Sequence, residues 1–290
     1  MTCLLEGGWV GLETYWILWL PILAGVAVLP LLTCFLSTNA KPSSEDPVFA
    51  VILSIATGNP KFTCNSDEGF RSAARIPHPA WVGRVLERIY KNSRIDNRFF
   101  CIPDFGAREE EGGAPWGNDA FYPEDCSFSV SSDRRFERFR RCALPLAAEV
   151  AKKALADAKV APSAIGRLVL VTSTGDFESH LGKDLANAIG LRNGVGRELV
   201  SFQGCGGTIN GLRLASQVRI LEGSGRGGGH ALLVSVELPS LHARGLGTVN
   251  EAILQGIFGD GCAAVVVGSG TEASAPPGSY AVLLNRSWLV

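Results

Sequence analysis

The sequence predicts a layered α/β fold. Short runs of consecutive apolar residues, rich in β-branched side chains, have the length and composition of buried strands. Between them lie longer segments whose apolar residues recur at helical spacing, and this alternation is typical of helices packed on a sheet. The 290 residues suffice for a core that needs no disulfide bonds.

The first predicted strand covers residues 48–56 and ends at a Thr-Gly-Asn-Pro turn, residues 57–60. A helix is predicted at residues 81–90, where valine, leucine and isoleucine share one helical face. Residues 102–126 are rich in Gly, Pro, Glu and Asp. This composition predicts a solvated insertion loop.

The clearest helical pattern covers residues 136–158. Its apolar side is formed by Ala143, Leu146, Ala147, Val150 and Ala151. The elements after it alternate between strand and helix. The predicted strands are 168–171, 199–203, 231–236 and 262–268, and the predicted helices are 181–191, 210–221 and 249–258.

The amino terminus carries a long apolar segment. No charged residue occurs between Thr14 and Ala40, and about 20 helical residues cross the hydrocarbon core of a bilayer. We predict a hydrophobic leader helix that anchors the chain in a membrane over residues 15–36, within a leader and linker at residues 1–46. A cleaved signal peptide and an organelle-targeting leader are the alternatives. Because Lys41 is the first basic residue after the run, the following domain is expected in the cytosol.

Composition excludes several classes of function. The formal net charge is -1, so the chain lacks the basic surface of a nucleic-acid-binding protein. Its 8 cysteines include no Cys-x-x-Cys pair, and its 4 histidines form no closely spaced pair. These spacings argue against a metal site and against a disulfide scaffold.

One cysteine stands in a context that favours chemistry. An apolar strand runs into the sequence Gln-Gly-Cys-Gly-Gly around Cys205, and a helix-forming segment follows. A helix N-terminus stabilises a thiolate at such a corner, and the neighbouring amides can receive a developing oxyanion. The pattern predicts a nucleophile that accepts an acyl group. A buried structural cysteine at a strand–helix junction is the alternative.

Several segments together resemble a known family. They are residues 55–60 (IATGNP), 93–99 (SRIDNRF), 171–175 (VTSTG), 203–205 (QGC) and 256–264 (GIFGDGCAA). In order and spacing they resemble the type III polyketide synthases, the chalcone and stilbene synthase group of the thiolase superfamily, and they are most similar to the brown-algal enzymes. The resemblance implies a thiolase-like layered fold, of which residues 47–270 form the amino-terminal half.

The resemblance also implies an acyltransferase activity. Cys205 would hold a starter acyl group or the growing polyketide as a thioester, and malonyl-CoA would supply the extension units. Acyl-CoA and malonyl-CoA are the implied substrates, and phloroglucinol- or pyrone-type molecules are the implied products. No cofactor beyond these coenzyme A thioesters is implied, and the implied assembly is a homodimer.

Four residues fall where the family contacts its substrates. Phe258 matches a gatekeeper phenylalanine between the substrate tunnel and the reaction chamber, and plain core packing is its alternative. Ser173 and His242 match positions that shape the cavity, although His242 could equally lie on the surface. Arg98 could meet a coenzyme A phosphate or be a surface arginine.

Two carboxylates near these positions are expected to be structural. Glu237 ends an apolar strand, where it is either solvated or paired with a buried backbone donor. Asp260 lies in a Gly-Asp-Gly sequence that predicts a tight turn, with the aspartate capping backbone amides.

The family also needs a histidine and an asparagine from its second half, which polarise the thioester carbonyl and hold the oxyanion. Residues 271–290 supply only a linker and the start of such a half, so we expect the chain as written to be inactive. Two other hypotheses stay open. One is a membrane-bound 3-ketoacyl-CoA synthase of fatty-acid elongation, and the other is a non-catalytic truncated partner of a full-length homologue.

Overall fold

The computed structural model describes residues 49–105, 120–123, 127–175, 180–217, 229–270 and 280–282. The predicted leader helix at residues 15–36 and most of the predicted insertion loop lie outside these ranges. Within them, no helix combines the length and hydropathy that crossing a bilayer requires.

The described residues form strands and helices, which alternate along the chain over residues 165–270, as the sequence predicts. The strands are β1 (Phe49–Gly58), β2 (Phe62–Asn65), β3 (Asn97–Phe100), β4 (Ile165–Val171), β5 (Gly196–Val200), β6 (His230–Glu237), β7 (Gly261–Gly270) and β8 (Tyr280–Val282). The helices are α1 (Ser66–Ala74), α2 (Ala80–Asn92), α3 (Ser132–Ala158), α4 (Leu181–Ala188), α5 (Gly207–Ala215) and α6 (Val249–Ile257).

Several details differ from the predicted elements. The antiparallel pair β2–β3 is absent from the prediction because each strand has only 4 residues and no clear apolar alternation, and α1 between them is also absent from it. The strand before Cys205 ends at Val200 rather than at residue 203, and α5 begins at Gly207 rather than at residue 210. Left-handed backbone at Phe202 (φ 55°) and Gly204 (φ 56°) ends the strand early.

Six strands form one mixed sheet in the order β5-β4-β6-β7-β1-β8. β4 runs parallel to both β5 and β6, whereas β7 is antiparallel to β6 and to β1. Glu237 at the end of β6 pairs with Gly261 at the start of β7. The carboxyl ends of β4, β5 and β6 therefore share one edge of the sheet with the segment that enters β7, which we call the carboxyl edge.

Each face of the sheet packs against a different helix. Leu168 and Leu170 point into the larger core cluster, which includes the predicted apolar side of α3. Val169 and Val171 point into a second cluster, which includes Ala215 of α5. Alternate side chains of β4 thus point into the two clusters on opposite faces of the sheet. Because both faces are buried, the sequence of this strand is a nearly continuous apolar run.

Small residues let α5 approach the sheet closely. Gly207, Gly211 and Ala215 are the buried positions of this helix and recur at four-residue spacing. A Cβ atom at Gly211 would lie 2.7 Å from Val171 Cγ2 and 2.8 Å from Leu233 Cδ1. Only glycine fits at this position without movement of the neighbours, and the close approach fixes where the helix begins.

Candidate active site

Cys205 lies in a short 3-10 turn, Gly204–Gly206, between the end of β5 and the start of α5. Two left-handed residues, Phe202 and Gly204, form the corner before it. Asn210 Nδ2 donates a hydrogen bond of 2.5 Å to Gln203 Oε1, which ties the corner to the first part of α5. The thiol is exposed, so Cys205 is not the buried structural cysteine considered as the alternative.

The cysteine corner is held against the neighbouring strands of the carboxyl edge. Thr172 N, just beyond β4, donates to Val200 O of β5 at 3.1 Å. The hydroxyls of Thr208 in α5 and Ser235 in β6 are 3.0 Å apart. Three adjacent strands therefore deliver Cys205, Ser173 and Glu237 to the same edge of the sheet.

Glu237 organises the backbone beside Ser173. Its Oε1 accepts from Ser173 N at 2.7 Å, and its Oε2 accepts from Thr174 Oγ1 at 2.6 Å. Leu238 N donates to Thr174 Oγ1 at 2.9 Å. Burial raises the pKa of Glu237, while these hydrogen bonds oppose the shift. Of the two alternatives for this carboxylate, solvation and pairing with a backbone donor, the structure shows the second.

His242 belongs to the same network. Its Nε2 lies 2.8 Å from Thr174 O, and because a carbonyl oxygen only accepts, Nε2 carries the proton. The short helix Pro239–His242 that carries this ring follows directly after β6. His242 is half-buried rather than a surface residue.

Ser173, His242 and Phe258 line one cavity of about 460 Å³. Phe258 follows α6 and is 41% exposed, so it is not part of the packed core. The wall mixes aromatic and aliphatic side chains with hydroxyls, amides and charged groups. The other lining residues are Phe100, Phe105, Thr174, Pro239, Ser240, Ala243, Arg244, Thr248, Asn250, Glu251, Leu254 and Gln255.

Asp260 joins the segment after Phe258 to the opposite wall of the cavity. Its carboxylate accepts from Cys101 N at 2.7 Å, from Ser240 N at 2.9 Å and from Ser240 Oγ at 2.5 Å. Burial raises the pKa of Asp260 against the effect of these bonds. The expectation that Asp260 caps backbone amides is confirmed, although the amides lie in distant segments rather than in its own turn.

Arg98 is buried, which agrees neither with a surface arginine nor with a residue that meets a coenzyme A phosphate. Only 2% of its surface is exposed. Nε donates to Gly256 O at 3.0 Å and Nη1 to Ser66 Oγ at 3.1 Å, while the guanidinium carbon lies 4.5 Å from the centre of the Tyr90 ring. Arg98 therefore binds the last turn of α6, where carbonyl groups favour a cation.

Sequence reasoning missed several residues around the cavity. Thr174 bonds to Glu237, Leu238 and His242. The sequence does not predict this role, because Thr172, Ser173 and Thr174 are consecutive hydroxyl residues and nothing local distinguishes one of them. The side-chain amides of Asn250 and Gln255 that line the cavity belong to α6, and the Thr-x-x-Glu capping box at Thr248 and Glu251 does show in the sequence where this helix starts. Among the described residues, no group of three or more His, Cys, Asp or Glu side chains could hold a metal ion.

Comparison with known domain families matches residues 119–271 to the N-terminal domain of chalcone and stilbene synthases. The matched residues include the cysteine corner, Ser173, His242 and the segment Phe258–Asp260. The chain belongs to the chalcone and stilbene synthase family. The resemblance stated from the sequence motifs is thereby confirmed.

Relatives in this family include polyketide synthases from distant organisms. The chain is 31% identical over 251 residues to the alpha-pyrone synthesis polyketide synthase-like Pks18 of Mycobacterium tuberculosis, covering 86% of this chain and 59% of that protein. It is 33% identical to the bisdemethoxycurcumin synthase of Oryza sativa subsp. japonica, covering 77% of this chain and 53% of that protein. The chain therefore spans rather more than half the length of these relatives.

A solved structure from a brown alga has the same fold. PKS-I from Ectocarpus siliculosus shares 36% identity with this chain at a TM-score of 0.73. The match covers 85% of this chain and 63% of that chain. The mixed α/β fold of a type III polyketide synthase is thus confirmed for the described residues, and the predicted leader helix lies outside them.

Proposed function

We propose that this chain carries the nucleophile-bearing domain of a type III polyketide synthase, an acyltransferase that condenses malonyl-CoA units onto a cysteine-bound acyl chain. The observation that supports this proposal is the exposed Cys205 thiol at the start of α5. Cys205 does not itself line the cavity, but Ser173, which does, follows the strand adjacent to β5 at the same carboxyl edge. Family membership and the relatives named above support the same chemistry.

The proposed reaction begins at Cys205. Its thiolate attacks the carbonyl carbon of an acyl-CoA, the new S–C bond forms, and the bond to the coenzyme A sulfur breaks as that thiolate leaves and takes up a proton. Malonyl-CoA then loses carbon dioxide, and the resulting carbanion attacks the carbonyl carbon of the Cys205 thioester. A C–C bond forms, the bond to the Cys205 sulfur breaks to release its thiolate, and the extended chain is carried on coenzyme A until Cys205 accepts it again. Amide hydrogens at the start of α5 point toward the corner, where they stabilise negative charge on the reacting oxygen.

We assign the substrate to the cavity beside this edge. The rings of Phe100, Phe105 and Phe258 suit the apolar part of an acyl or polyketide chain. The Ser173 hydroxyl supplies a donor for its oxygen atoms, while His242, whose Nε2 donates to Thr174 O, forms part of the cavity wall. The contacts of Glu237 with the Ser173 and Thr174 segment keep these groups in place. Phloroglucinol- or pyrone-type products are proposed because of the similarity to the brown-algal synthase and to the alpha-pyrone synthesis relative.

A mass measurement tests the proposal. The chain, fused to the second half of the brown-algal synthase, is incubated with an acyl-CoA, digested, and mapped for a thioester adduct. We expect the acyl group on Cys205, its loss in Cys205→Ser, and its retention in Cys64→Ser, because Cys64 is buried and burial raises its pKa to about 11. Label on another cysteine, or no adduct on Cys205, would contradict the proposal.

A second measurement tests polyketide formation. The chain is fused to the second half of the brown-algal synthase and incubated with malonyl-CoA and acyl-CoA. Cyclised products of several extensions are expected from the fusion, and none from its Cys205→Ser variant. A single extension without cyclisation would favour the fatty-acid elongase alternative, which none of the observations above supports.

Two further expectations belong to the proposal. We propose a homodimer. It is supported by β5, which is the outermost strand on one side of the sheet, and by the exposed side chains of Leu199 and Phe202 in and after this strand. Light scattering at two concentrations measures it, and a strictly monomeric chain would contradict it.

We also propose that residues 15–36 anchor the domain to a membrane with the domain in the cytosol. Alkaline extraction of membranes tests the anchor, and release of the full chain into the supernatant would contradict it.

A further inference from the structure

Two cysteines lie together behind the cavity wall, away from the proposed nucleophile. Cys101 follows β3, and Cys142 lies in α3. The Cys142 thiol donates to Cys101 O at 3.7 Å, so the two cysteine residues are in contact. Both side chains are half-buried, so a small reagent can reach them, and both are free thiols.

The surroundings of the two thiols differ. Cys101 Sγ lies 3.5 Å from Ser240 Oγ and close to the carboxylate of Asp260. The interaction with Cys142, burial and the charge of Asp260 raise the pKa of Cys101. The interaction with Cys101 lowers the pKa of Cys142, and the positive charges of Arg138 and Arg141 act in the same direction, against burial and Asp260.

We propose that Cys101 and Cys142 form a reversible, peroxide-sensitive thiol pair that closes into an intrachain disulfide. The Cys142 thiolate attacks a peroxide oxygen, so that an S–O bond forms, the O–O bond breaks, and the departing hydroxide is protonated to water. Cys101 then attacks the Cys142 sulfur. The S–S bond forms, the S–O bond breaks, and the hydroxyl leaves as water with the Cys101 proton. Two thiols are oxidised and one hydrogen peroxide is reduced to two waters.

Closure of the disulfide acts on the cavity through Ser240. The Cys101 sulfur must turn toward Cys142 and give up its contact with Ser240 Oγ. Ser240 lines the cavity, and it shares the Asp260 carboxylate with Cys101 N. Oxidation therefore alters the bonding of a residue in the cavity wall without consuming the Cys205 thiol.

Peptide mapping of the whole chain after treatment with hydrogen peroxide tests the pair. We expect a Cys101–Cys142 cross-linked peptide that dithiothreitol removes, and no such peptide in either Cys101→Ser or Cys142→Ser. Cys64→Ser is the matched control and retains the cross-link. This readout needs no catalytic activity, so its result is independent of whether the proposed polyketide synthase function is correct.

The single variants test the order of the two steps. With Cys101 replaced, a sulfenic acid is expected to accumulate on Cys142 and to react with a dimedone probe. With Cys142 replaced, labelling of Cys101 is expected to be at least about tenfold lower, because the thiolate is the reactive form. The absence of the cross-link, or a cross-link from either cysteine to Cys205 instead, would overturn the pair. Equal labelling in the two variants would overturn the assigned order.

Discussion

Replacing Arg98 with methionine tests whether this residue is structural or binds substrate. The guanidinium donates to Gly256 O and to the hydroxyls of Ser66 and Ser93, and it lies over the Tyr90 ring. Methionine fills a similar length but supplies no donor. The variant therefore keeps most of the packing while removing the charge and every hydrogen bond.

The expected loss of stability follows from these contacts. Hydrogen bonds to a charged group contribute about 1.5–3 kcal/mol each, and the cost of burying the guanidinium offsets part of their sum. The substitution also leaves the buried Gly256 carbonyl without its donor, and an unsatisfied buried acceptor costs about 1–3 kcal/mol. We expect the free energy of unfolding of Arg98→Met to fall by about 3–5 kcal/mol, and that of Arg98→Lys by less, since an ammonium keeps the charge.

Urea unfolding followed by tryptophan fluorescence measures the effect. Arg84 in α2 is exposed, so Arg84→Met is the matched control and is expected to change the free energy by less than about 0.5 kcal/mol. If Arg98→Met unfolded like the wild type but bound acyl-CoA more weakly, the structural role assigned to Arg98 would be refuted.

Two other variants test the packing and electrostatics of the carboxyl edge. Gly211→Val is expected to lower the melting temperature, because the new Cβ would lie 2.7 Å from Val171 Cγ2. Overpacking of this kind costs about 1–3 kcal/mol of stability. An unchanged melting temperature would contradict the close approach of α5 to the sheet. Glu237→Gln is expected to remove one component of the pH dependence of stability. Because burial raises the pKa of Glu237 above 4.5, the folded chain binds the proton more tightly than the unfolded chain, so this component weakens as pH rises from about 4.5. As pH rises from about 4.5 through the folded-state pKa of Glu237, the free energy of unfolding of the wild type should therefore decline relative to that of the variant. A relative gain over this pH range would contradict the raised pKa of Glu237.

Local patterns account for the elements that the sequence predicted correctly. A helix of 27 residues, α3, is visible because its apolar positions recur at helical spacing, and β4 and β6 are visible as apolar runs. The cysteine corner is visible for the same reason, since glycines mark the change from strand to helix around Cys205. These features depend on neighbours a few positions apart.

Side-chain partners far apart in the chain were not predictable in this way. Arg98 and Gly256 are separated by 158 positions, and Cys101 and Asp260 by 159. Nothing in the segment around Arg98 distinguishes a buried arginine from one that meets a phosphate. The Cys101–Cys142 pair is hidden for the same reason, because one thiol follows a short strand and the other lies in a helix 41 positions later.

The sequence by itself determined the α/β character of this protein, the position of Cys205 at a strand–helix corner and the family to which the chain belongs, because each of these is encoded in short continuous segments. Only the tertiary structure decided the mixed strand order, the gathering of Ser173, His242 and Phe258 around one cavity, and the burial of Arg98 against α6. Those features depend on which strands pair and which faces are buried, and long-range pairing is fixed by the packing of the whole domain rather than by the local pattern of residues.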